Sequence, residues 1–169
     1  MPTTVIMLSA VAAGYCDVRW RRIPNWLVAA TIALCLASHG LINGVSGLRM
    51  SAAGLVLGIV LLFPLFLLRG MGAGDVKYFG AIGAGVTYQH VFTVLVISLV
   101  ISGLMSLYKI LKLRRIRESL SNIQDLINQF RHGHLKPHPV VGIDNEQALL
   151  VPFTLASALS TWLVILFVP

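Results

Sequence analysis

Long apolar stretches separated by short polar breaks run along most of the chain. Within each stretch the apolar positions are continuous rather than alternating. That is the pattern of helices surrounded by apolar material, not of strands in an outer-membrane barrel. A helix needs about 20 residues to cross the hydrocarbon core of a bilayer. Six candidate spans follow, at residues 2–16, 24–41, 50–68, 76–87, 91–108 and 149–168. The first is short but can extend into its polar flank. Pro24 is well placed for the first turn of the second. The fourth is too short to cross alone unless protein shelters its ends. The expected fold is all-α: a polytopic membrane helix bundle of about six transmembrane helices, in a single domain over residues 1–169.

One substantial polar stretch interrupts this pattern, at about 109–148. Its first part places Ile116, Leu120, Ile123, Ile127 and Phe130 three and four residues apart, which makes one apolar stripe on a helix. With a basic start, it reads as an amphipathic helix on the cytoplasmic membrane face. A plain continuation of the fifth helix fits equally well. Gly133, Pro137, Pro139 and Gly142 then mark a loop.

Composition agrees with the pattern. Of the 169 residues, 57% are hydrophobic and only 11% charged, too few to cover the surface of a soluble domain. The net charge of +7 does not point to nucleic acid, because the cations sit between apolar runs. With the N-terminus outside, all but one of the 13 Lys and Arg fall in inner loops, and only Arg49 falls outside. That asymmetry fits the positive-inside rule and requires the short fourth span. No basic region precedes the first apolar run, so a retained first helix is expected rather than a cleavable signal. Cys16 and Cys35 lack metal-ligand spacing and read as packing residues.

The acids are informative. Glu118, Asp125, Asp144 and Glu146 lie in the polar region, where water can reach them. Asp17 follows the first apolar run directly, and Asp75 precedes the fourth. Both fall at the inner membrane boundary, where an ionisable side chain is costly and points to function. Two carboxylates that approach one another share a proton. The ionised one can then take a proton from water while the protonated one donates to a scissile carbonyl. This chemistry hydrolyses an amide with no metal, cofactor or covalent intermediate.

The surroundings of Asp75 are Gly70-Met71-Gly72-Ala73-Gly74-Asp75-Val76-Lys77. Glycines at alternate positions disfavour helix and remove bulk, so a substrate backbone can come close to the carboxylate. A flexible loop ending in an N-cap aspartate is the plainer explanation. Lys77 either tunes the acid pair or anchors to lipid phosphate. For Asp17 the plainer explanation is an interfacial acid paired with Arg21 beside Trp20. His132, His134 and His138 read as a solvated loop rather than a metal site, and His39 and His90 are placed in outer loops. Gly54, Gly58, Gly80 and Gly83 are expected to let helices approach closely.

Asp17-x-Arg19 leading into Ile23-Pro24-Asn25, followed by Gly72-x-Gly74-Asp75-x-Lys77, resembles the type IV prepilin peptidase family. The likeness is greatest to the short members associated with Flp/Tad-type pili, and Pro152-Phe153 resembles a further family feature. The resemblance implies that Asp17 and Asp75 are catalytic, with Gly72, Gly74, Lys77 and Asn25 in substrate-binding or supporting roles. It implies a bacterial inner-membrane endopeptidase acting at the cytoplasmic face. The implied substrate is a prepilin with a short basic leader before an apolar helix. Membrane lipid and pilus or secretion machinery are the other implied partners. Longer members carry paired Cys-x-x-Cys motifs and methylate the new N-terminus; this chain has only two cysteines, so peptidase without methyltransferase activity is expected. Competing readings are a small transporter subunit with the acids on a proton or cation path, a non-catalytic pilus assembly protein of the same fold, and an intramembrane aspartic peptidase with other substrates.

Overall fold

The computed structural model describes residues 2–20, 23–67, 71–112 and 153–167. The expected amphipathic helix, the three loop histidines and Pro152 lie outside these residues. The described residues form four helices: α1 (Pro2–Trp20), α2 (Asn25–Leu67), α3 (Ala73–Lys112) and α4 (Phe153–Phe167). Both α2 and α3 are long and apolar enough to cross a membrane; α4 and the Thr3–Asp17 part of α1 are shorter apolar helices.

Each long helix is broken once. In α2 the break is Gly44 (φ 59°, ψ −145°), and in α3 it is Thr87 (φ 61°, ψ 168°). The chain reverses at both points. A Cβ on Gly47 would strike the carbonyl of His39, eight residues earlier. In a straight helix those residues would be about 12 Å apart. Likewise a Cβ on Gly83 would lie 3.3 Å from Val91 Cγ2. The loops expected at 42–49 and 88–90 therefore shrink to single non-helical residues. Asn43, Ser46 and Arg49 are exposed polar residues that sit on the helix without ending it. The first helix also runs past Cys16, taking Asp17 into its last turn.

The first arm of α3, residues 73–86, is the core of the bundle. Val76, Tyr78, Phe79, Ala81, Ile82, Ala84 and Val86 on it are all buried, which is the protein shelter its short length requires. Its closest neighbour is the second arm of α2. A Cβ on Gly54 would collide with the Gly83 carbonyl, and one on Gly58 would lie 2.8 Å from the Phe79 carbonyl. The expected role of these glycines is confirmed: without side chains, the backbones touch. On another side α4 packs against both α1 and α3. Large apolar side chains such as Leu8, Leu41, Val60, Phe92 and Leu166 point outward, as a lipid-facing surface requires.

Polar groups are turned inward instead. Because α3 breaks at Thr87, the carbonyls just before it lack intrahelical partners. Ser51 Oγ donates to the Ala84 carbonyl at 2.7 Å, and His39 Nε2 lies 3.1 Å from the Gly85 carbonyl. This corrects the expectation for His39. It is not in an outer loop but buried in α2, capping the end of a neighbouring helix arm.

Candidate active site

Three helix ends meet around Asp17 and Asp75. Asp17 lies in the last turn of α1, where carbonyl dipoles point toward it and disfavour a negative charge. The start of α4 offsets this. The backbone amides of Thr154 and Leu155 hydrogen-bond the Asp17 carboxylate, and the Thr154 side chain lies against it as well. These are amides of a first helical turn, which have no partner within their own helix.

Asp75 has the favourable end of its helix. It is the third residue of α3, where the dipole stabilises an anion. The Gly72 carbonyl closes the first turn by accepting from Asp75 N at 3.1 Å and Val76 N at 3.3 Å. In return the Gly72 amide hydrogen-bonds the Asp75 carboxylate, a reciprocal arrangement typical of helix starts. Asp75 is thus a first-turn acid whose side chain folds back, rather than the N-cap. Thr154 Oγ1 donates to Asp75 Oδ1 at 2.6 Å, so one residue of α4 holds both acids.

The two carboxylates are close enough for their charges to repel. Asp17 Oδ2 is buried and has no hydrogen-bond partner among the described residues. One turn beyond Asp75, the Tyr78 hydroxyl lies 3.4 Å from Ser9 Oγ, tying α3 to α1 again. The rings of Phe79 and Phe153 stand 6.2 Å apart and seat the first residue of α4 against α3.

The other expected site residues separate into two groups. Gly72 belongs to the site, since a Cβ there would lie 3.3 Å from Asp75 Oδ2. Gly74 faces Ile23 instead, and a Cβ there would make ordinary contact at 3.9 Å. Lys77 and Asn25 are exposed. Lys77 stands about 200° around the helix from Asp75 at roughly 100° per residue, which suits a lipid anchor better than an acid-tuning role. Asn25 opens α2 directly after Pro24, whose carbonyl accepts from Leu27 and Val28. Sequence reasoning missed Thr154. Its signal was faint: a hydroxyl directly after the Pro152-Phe153 pair that opens the last helix.

A family model described as the type IV leader peptidase family matches residues 4–107. The matched stretch contains both aspartates and ends before α4. No curated protein and no solved structure matches the chain significantly.

Proposed function

The chain belongs to the type IV leader peptidase family, and from this and the joined carboxylates we propose an intramembrane aspartic endopeptidase in which Asp17 and Asp75 are catalytic. Membership makes it a membrane protein and a protease of the prepilin-peptidase type, with a prepilin as substrate. The observation that carries the finer reading is the pair itself. Two acids far apart in sequence meet the start of one helix, where one residue, Thr154, contacts both.

Carboxylates so placed hold one proton between them. The ionised partner takes a proton from water as its oxygen attacks the scissile carbonyl, and the protonated partner gives its proton to the carbonyl oxygen. The tetrahedral diol then collapses. A proton passes to the amide nitrogen, the C–N bond breaks, and the leader leaves with a new carboxyl terminus. The pilin keeps a new amino terminus, and the pair returns to its starting protonation. The amides at the starts of α3 and α4 stabilise the negative charge throughout. Asp17 Oδ2, without a hydrogen-bond partner among the described residues, is available to the water or to the shared proton.

In this reading the chain crosses the bacterial inner membrane six times with its N-terminus outside, and cleavage occurs at the cytoplasmic end. The substrate is of the Flp/Tad type. With only two cysteines and no paired Cys-x-x-Cys motif, the enzyme cleaves without methylating. Co-expression with a candidate prepilin tests this on a gel. Wild type removes the leader, whereas Asp17→Asn and Asp75→Asn leave the precursor whole. Cleavage by either variant overturns the two-aspartate mechanism. No cleavage by wild type overturns the prepilin reading.

A further inference from the structure

We propose that Thr154 is the positioning residue of the carboxylate pair: its hydroxyl fixes Asp75 and its backbone amide fixes Asp17, so the start of α4 sets how the two acids face each other.

The other hydroxyls of α4 show what a hydroxyl does by default in an apolar helix, which is to bond back to its own backbone. Ser157 donates to the Thr154 carbonyl at 2.9 Å, and Thr161 to the Ser157 carbonyl at 2.7 Å; Ser160 donates to the Ser157 carbonyl at 2.9 Å and its Oγ also meets Ser98 Oγ of α3, a neutral hydroxyl, at 2.6 Å. Thr154 departs from this. It sits in the first turn and donates across to another helix, to a carboxylate oxygen at 2.6 Å. That length is in the range of a charge-assisted O–H···O⁻ bond. Thr154 is fully buried, so it offers no surface to a substrate and acts only through the acids.

The geometry also makes α4 a joint between the two helices that carry the acids, beside the direct Ser9–Tyr78 contact of α1 with α3. Asp17 is carried by α1 and Asp75 by α3, and α4 packs against both. One residue touching both acids converts the placement of α4 into the spacing of the pair. The family match ends at residue 107 and does not reach Thr154.

The kinetic consequence rests on the peptidase reading; the hydrogen bond does not, and the test separates them. Thr154→Val keeps shape and removes the donor, and Thr154→Ser keeps the donor. Infrared spectra of protein carrying 13C-aspartate read the bond without any substrate. The expected result is a carboxylate stretch that moves in Thr154→Val, stays in Thr154→Ser and is lost in Asp75→Asn. In prepilin cleavage, Thr154→Val lowers kcat by about tenfold or more with KM unchanged, and Thr154→Ser stays within about threefold of wild type. An unmoved stretch in Thr154→Val overturns the proposal, as does wild-type kcat in that variant or equal loss in both variants. If wild type cleaves no prepilin, the peptidase reading falls, and the infrared result still decides whether Thr154 holds Asp75.

Discussion

Asp17 sits at the end of its helix where a carboxylate is least welcome, and Asp75 at the end where one is most welcome. The two are brought together because α4 offers amides to the first and a hydroxyl to the second. The glycines before Asp75 then have different jobs. A methyl on Gly72 would press on Asp75 Oδ2 at 3.3 Å, while one on Gly74 would rest against Ile23. Gly72→Ala is therefore expected to lower prepilin cleavage by about tenfold through a displaced carboxylate. Gly74→Ala should remain active and unfold no more easily than wild type. Loss of cleavage in Gly74→Ala with stability intact would mean that substrate passes over that position. The acids themselves were legible in the sequence, because an ionisable side chain in an apolar chain stands out. Thr154 was not. Before folding it is one of several hydroxyls in the last helix, and only the packing of α4 on α3 distinguishes it. The common support assigned to Gly72, Gly74, Lys77 and Asn25 likewise divides only when helix faces are known.

At the scale of elements, the helix breaks were foreseeable but their tightness was not. Polar residues near 42–49 suggested a loop, yet helix continues on both sides of Gly44 because Asn43, Ser46 and Arg49 point outward. The burden of reversal falls on single residues with positive φ. Gly44 bears it without strain. A methyl there meets nothing within 4 Å, so Gly44→Ala should cost about 1–3 kcal/mol through the backbone alone. Thr87 holds a conformation otherwise reserved for glycine, so Thr87→Gly should gain about 1 kcal/mol. Denaturant midpoints in detergent check both signs. A loss of stability in Thr87→Gly would mean that its side chain contributes more than its backbone costs. The end of the same α3 arm supplies a third case. Ser51 and His39 satisfy the Ala84 and Gly85 carbonyls that the break leaves open. Ser51→Ala should cost about 1 kcal/mol in the same measurement.

For the whole molecule, the lengths of the arms decide where the chemistry lies. From the turn at Thr87 back to Asp75 the helix rises only about 18 Å, at roughly 1.5 Å per residue. The hydrocarbon core is about 30 Å thick. With that turn at one face, Asp75 falls short of the other, in the cytoplasmic half of the bilayer in the proposed topology. The second arm of α3, residues 88–112, extends about 37 Å and passes the level of the acids. A substrate bond beside an apolar helix would reach such a recessed pair more readily than a bond in a soluble loop, which agrees with the proposed prepilin substrate. In the proposed topology both reversals lie at the membrane face opposite the acids. Arg49 and Lys112 report on that, since both are exposed and three arms separate them. In a background with Cys16 and Cys35 replaced by alanine, Arg49→Cys should react with an impermeant thiol reagent in intact cells. Lys112→Cys should react only after permeabilisation. If α3 crossed once as a straight helix, an even number of crossings would separate the two positions and both would label from one side. Labelling from opposite sides requires the Thr87 reversal, and with it the short, buried arm that keeps Asp75 inside the bundle.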